Sequence, residues 1–244
     1  MDISDISTDQ VVLWKWRFIA LNYTIIFTWL VMAFLFAVSW LTTRNITSDT
    51  KISHWQNLLE IIVIQIREQI RGITDQSPRQ YLPFIGTLFI FIAISNLLSV
   101  VPGFYPPTAS LSTTAALAIC VFVAVPIYGI SHKGFIGYLK IYTKPSILVL
   151  PFNIIGDLSR TLALAVRLFG NMMSGTKIVA ILISIVPLFF PILMHALGLL
   201  IGLVQAYIFA VLAMVYIASA TLVENGSRNS NNKINEGGKI SWTR

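Results

Sequence analysis

Apolar runs fill most of the chain, and the positions that interrupt them outline its elements. Uncharged stretches at 23–43 and 81–131 exceed the ~20 residues needed to cross a hydrocarbon core, the second by enough for two crossings. Together with the later runs, they predict membrane helices over about 16–42, 80–101, 111–131, 150–184 and 188–223. Residues 52–73 follow another rule. Glu60, Arg67, Glu68 and Arg71 recur at helical spacing, with Leu58, Leu59, Ile62, Ile66, Ile70 and Ile73 on the rest of the surface. That pattern suits a helix lying along the membrane surface, with a charged span as the other reading. The fold class predicted is an all-α membrane protein with five transmembrane helices and one amphipathic interfacial helix. It divides into an N-terminal segment at 1–15, a single membrane domain at 16–223 and a flexible tail at 224–244.

Charge in the connections gives the orientation. Residues 44–79 hold five arginines and lysines, and the loop 132–149 holds Lys133, Lys140 and Lys144 without an acid. The tail carries Arg228, Lys233, Lys239 and Arg244, whereas 102–110 and the turn near 187–191 are uncharged. With five crossings, all three basic stretches fall on the cytoplasmic side, the N-terminus outside and the C-terminus inside. The chain is expected to be a multi-pass protein of a cell membrane, a prokaryotic plasma or inner membrane. The start is acidic (Asp2, Asp5, Asp9), unlike a secretory leader, so the first helix is read as a permanent span.

Composition agrees: 11% of residues are charged, about half of what a soluble domain carries. The net charge of +7 sits beside the spans and does not point to nucleic acid. The lone Cys120 excludes an intrachain disulfide and a cysteine metal cluster, and reads as a packed small residue. There is no GxxxxGK[ST] loop, so no nucleotide site or cofactor is expected in this chain.

The fifth predicted helix carries unusual chemistry. Asn153, Asp157, Arg160, Arg167, Asn171 and Ser174 share spacings of three, four or seven and form one polar stripe, interrupted only by Leu164. An arginine at mid-membrane costs at least ~2.5–3.5 kcal/mol, so the stripe must face protein or a water-filled cavity. Asp157 and Arg160, three apart, suit an intrahelical ion pair as well as a place on an ion path. Arg167 has no acid within a turn, and its guanidinium stays protonated. Its counter-charge is therefore expected from elsewhere, such as another subunit. On the last helix, Gly198 and Gly202 form a small-xxx-small pair for close approach. Gln205 and His195 there fit either functional roles or plain helix–helix hydrogen bonds.

The run Arg167-Leu168-Phe169-Gly170-Asn171-Met172 resembles the signature of subunit a of F-type ATP synthases, and so does Gln205-Ala206-Tyr207-Ile208-Phe209. Ser95-Asn96-Leu97-Leu98, Pro102, Pro107-Thr108 and Ala115-Ala116-Leu117-Ala118 look like that family's second and third spans, so the likeness covers about 80–223. The resemblance implies a stator whose last two helices, long and tilted, pack against a rotating ring of c subunits. It further implies a peripheral-stalk subunit b and the remaining synthase subunits as partners, with the lipid bilayer around the chain. By the same analogy Arg167 is the essential arginine between two half-channels, with Asn171 and Gln205 beside it. Asn96 would line the outer half-channel and Asp157 the cytoplasmic one.

This sequence also departs from the family pattern. Positions that often hold an acid or histidine are Thr176, nine beyond the arginine, and Gly198, seven before the glutamine. Lys177 and His195 lie near those positions but do not match them. Water-filled access, or a sodium-coupled variant with oxygen ligands such as Asn and Thr176, fits that departure. Two other classes stay in view on residues alone. A secondary transporter or channel for a small solute would use Asp157 and Arg160, although no repeated halves are visible. An intramembrane enzyme would need a metal or nucleophile cluster, whereas His54, His132 and His195 lie on separate segments.

Overall fold

The computed structural model describes residues 12–16, 19–44, 54–74, 77–101, 104–143, 150–185 and 190–221. The acidic start and the tail at 224–244 lie outside these residues, as do Lys144 and most of the turn near 187–191. Among the described residues six α-helices carry the fold: α1 (Tyr23–Arg44), α2 (His54–Ile73), α3 (Leu82–Leu97), α4 (Leu111–Thr143), α5 (Leu150–Ile185) and α6 (Phe190–Thr221). Five of them are long and apolar enough to cross a membrane, and α2 is not among these. The chain is an all-α, multi-pass membrane protein, as the sequence predicts.

Two boundaries differ from expectation. The first helix begins at Tyr23 and not near 16, because an antiparallel strand pair precedes it, β1 (Val12–Trp16) with β2 (Ile19–Asn22). Val, Ile and Trp suit extended backbone as well as they suit a span, so an apolar run alone cannot place that boundary. The second difference lies in the loop expected at 132–149. Helix continues to Thr143, broken at Gly134, whose φ of 73° and ψ of 163° lie in a region essentially reserved for glycine. Beyond that break Tyr138 returns against Gly129, where any added Cβ would stand 2.5 Å from its ring. Replacing Gly134 with Ala is expected to cost ~1–3 kcal/mol of local stability. Limited proteolysis should then cut after residue 134 faster than in the parent protein.

The packed centre is formed by α3, α4, α5 and α6. Ile92, Leu164, Leu168, Phe209, Ala213 and Ile217 are among its fully buried side chains. Helix α2 seats Ile66 and Ile70 on this body and packs against α3 and α6, while Glu60, Arg67, Glu68 and Arg71 remain exposed. Its amphipathic pattern is thus realised. Helix α1 is the least embedded span, with Trp29 and Phe36 more than 70% exposed. Large exposed apolar side chains on every span make sense where the surrounding solvent is hydrocarbon.

Candidate functional site

Helix α5 is held by Thr161, Leu164, Ala165, Leu168 and Met172, which are buried. The polar stripe runs along the edge of this packed seam, so its members meet different surroundings. Near the start of α5, Asn153, Asp157 and Arg160 line a cavity of about 530 Å³ shared with α4 and α6. Arg160 Nη1 donates to Asp157 Oδ1 at 3.1 Å, so the intrahelical pair forms. The same guanidinium lies 5.9 Å from the ring centroid of Tyr216 on α6. Pro126 has no N–H to offer the carbonyl of Phe122 one turn earlier, and both residues line this cavity. An acid and a cation therefore border one open space beside a helix turn that lacks the Pro126 hydrogen bond.

Arg167 lies two turns further along. Its side chain is exposed on the surface of the chain, between the buried Leu164 and Leu168. The seam residues turn inward and leave the arginine outside, on a face that this chain does not itself cover. Among the described residues the ion pairs are Glu68–Arg71 and Asp157–Arg160, and Arg167 takes part in neither. In a bilayer such a charge needs water or an acid brought by a neighbour.

One turn beyond the arginine, Asn171 is half-buried and its Nδ2 is a buried donor without a hydrogen-bond partner. Gln205 on α6 is 6% exposed, and its Nε2 is likewise without a partner. A plain helix–helix hydrogen bond from that nitrogen is therefore not made among the described residues. Buried amides of this kind are costly unless water or a ligand completes them. Helices α5 and α6 thus each hold a buried, unfilled N–H donor. Thr176 is exposed, and its hydroxyl donates to the Met173 carbonyl at 3.0 Å. His195 is exposed near the start of α6.

Asn96 is placed differently. It is 1% exposed, and its Nδ2 donates to the Gly202 carbonyl of α6 at 2.8 Å. Its Oδ1 accepts from the hydroxyl of Thr108, itself fully buried, at 2.7 Å. Thr108 sits in a single 3-10 turn, Pro107–Ala109, so Asn96 ties α3 to both that turn and α6. At Gly202 an added Cβ would meet Met172 Cε at 3.0 Å and Asn96 Cβ at 3.1 Å. Gly198 has open space around it, so only one member of the expected glycine pair serves close approach. Sequence reasoning missed Thr108 and Met172 as parts of this junction. The available signal was a polar residue in each of two neighbouring apolar stretches.

Other cross-helix polar contacts lie apart from the stripe. Tyr81, fully buried, bonds His132 Nε2 at 3.1 Å, and Tyr207 donates to Gln69 Oε1 at 2.9 Å. Among the described residues no group of three His, Cys, Asp or Glu could hold a metal ion.

Comparison with known proteins gives one family throughout. Residues 25–218 match the family described as ATP synthase A chain. ATP synthase subunit a 2 of Acaryochloris marina is 59% identical over 232 residues, covering 95% of this chain and 99% of that protein. ATP synthase subunit a 1 of Chlorobaculum parvum is 59% identical over 216 residues, with 88% and 96% covered. ATP synthase subunit a of Nitrosospira multiformis is 56% identical over 234 residues, with 96% and 92% covered.

Proposed function

The chain belongs to the ATP synthase A chain family, and on that premise we propose that it is the ion-translocating stator subunit of a rotary ATP synthase. It works within the membrane sector of that complex and leaves ATP chemistry to other subunits. Its immediate partners are a ring of c subunits and the peripheral-stalk subunit b. The observation that carries this reading is Arg167, a permanent cation on the outer surface of a membrane helix, unpaired among the described residues.

The mechanism follows from that placement. A fixed cation favours the ionised form of a carboxylate brought beside it and weakens its hold on a proton or Na⁺. A loaded ring carboxylate arriving at Arg167 is therefore driven to release its ion. The emptied carboxylate passes the arginine as a paired charge instead of entering lipid bare. The same cation repels ions that would leak straight between the two half-channels. Each charge moved fully across gains ~2.3 kcal/mol per 100 mV, which is the drive for rotation. Asp157 and its cavity serve as the cytoplasmic half-channel, with the N-terminus outside and the C-terminus inside.

Asn171 and Gln205 supply unfilled donors that hold the carboxylate or its waters near the arginine. Hydrogen bonds to charged groups are worth ~1.5–3 kcal/mol. Asn171→Leu and Gln205→Leu are therefore each expected to slow ATP-driven pumping by roughly ten- to a hundredfold, at 1.36 kcal/mol per tenfold, without blocking assembly. Dye-quench assays on inverted vesicles would check this, and unchanged rates in both variants would remove these residues from the path.

Thr176 and Gly198 stand where a proton relay would need an acid or histidine, which favours water-filled access or Na⁺ as the coupling ion. The Na⁺ form predicts pumping that rises and saturates with Na⁺; a flat response over a wide range defeats it. Purification in mild detergent tests the whole reading. A c-ring and a soluble ATPase head should accompany the chain, and a chain that transports ions alone would overturn it.

A further inference from the structure

Between α2, α3 and α6 lies a second hollow of about 230 Å³, remote from the polar stripe. Its walls include Ile61 and Ile62 of α2, Phe89 of α3, and Val211 and Met214 of α6. Three polar side chains, Gln65, Gln69 and Tyr207, stand among ten apolar ones, and Tyr207 donates to Gln69 Oε1 at 2.9 Å. Ile61 is 55% exposed, so the hollow reaches the outer surface of the chain.

Three observations decide the occupant. A water molecule needs two to four polar partners, and the isoleucine, phenylalanine, valine and methionine walls that make up most of the hollow provide none. A partner helix, about 10 Å across with its side chains, could only lie over a hollow of this size, whereas an acyl chain is thin enough to enter it. On the same two helices Ile64 of α2 and Val215 of the span α6 also stand exposed, so the groove lies in an apolar outer surface. Meanwhile α2 turns Glu60, Arg67, Glu68 and Arg71 outward, which marks the polar boundary of the membrane on its other side.

We propose that this groove is a lipid site, taking one acyl chain of a bilayer phospholipid as a wedge between α2 and the α3–α6 pair. The chain completes the apolar packing that Ile66 and Ile70 begin. It holds the interfacial helix against α6, the helix that carries Gln205 further along.

The test uses the intact complex in vesicles of phosphatidylethanolamine and phosphatidylglycerol containing a small fraction of phosphatidylcholine with a diazirine on its acyl chain. After illumination, adducts are mapped by mass spectrometry. Adducts are expected at Ile61, Ile62, Phe89 and Val211, as well as on Trp29 and Phe36 of the exposed α1. Filling the groove with Val211→Trp, or more gently with Val211→Phe, should reduce the groove adducts several-fold and leave those on α1 unchanged. Ile62→Trp, from the opposite wall, repeats the test should the Val211 variants lose the α1 pattern. Absent groove adducts beside strong α1 labelling would overturn the proposal. So would groove labelling indifferent to all three fillings, or capture of another subunit's polypeptide by a photoreactive residue at Ile62.

Discussion

Arg167→Ala is expected to abolish ATP-driven ion pumping and ion-driven ATP synthesis while the complex still assembles. The side chain lies on the chain's surface and joins no ion pair among the described residues, so its removal costs the fold little. Losing a cation from a membrane helix even removes an insertion cost of ~2.5–3.5 kcal/mol. The effect must therefore appear in function and not in abundance. Without the fixed charge, a ring carboxylate keeps its ion and has no counter-charge while it passes. Arg167→Lys should also lose most coupling, because an ammonium can shed its proton on burial and lacks the planar fork. Pumping in inverted vesicles, normalised to the amount of complex, reads both variants.

The second large effect is structural. Gly202→Val should prevent stable assembly or leave a complex that loses pumping at much lower temperature than the parent. A single Cβ already stands 3.0–3.3 Å from Met172 Cε and the Asn96 side chain, and valine adds two further methyl groups. Overpacking of this kind costs ~1–3 kcal/mol. It also forces apart the Asn96 Nδ2 bond to the Gly202 carbonyl, and with it the hold on Thr108. Cross-helix bonds in membranes average ~0.6 kcal/mol and reach ~1.7, so the clash is the larger contribution. Gly198→Val provides the contrast, since open space surrounds that position. Thermal inactivation curves of the two variants should diverge clearly.

The spans were legible because hydrocarbon leaves few alternatives to a helix, and the apolar runs at 81–131 and 150–223 have no competing period. The amphipathic α2 was legible from its charges. Arg167, Asn171 and Gln205 stood out because polar groups in apolar helices are expensive and therefore informative. What the pattern concealed is equally physical. Residues 12–22 are apolar enough for helix or strand, so β1 and β2 passed unseen. Gly134 ends one helical direction and begins another without changing the residue pattern. The Asn96–Thr108–Gly202 junction depends on which side chains meet across helices, and spacing along one helix carries no record of that. Whether the stripe faced this chain's interior or its outer surface was hidden for the same reason. A stripe has a direction only once the seam beside it is known.

That direction yields the most direct test of the account, which holds that the face bearing Arg167 meets the ring carboxylate. Ala163 and Ser174 flank the arginine on the exposed side of α5. In a background of Cys120→Ser, a cysteine at either position should form a disulfide with a cysteine placed next to the carboxylate of a ring subunit. Oxidation should then stop ATP-driven pumping, and reduction should restore it. Efficient pumping by a complex whose cysteines never cross-link at either position would contradict the placement of Arg167 at the ring.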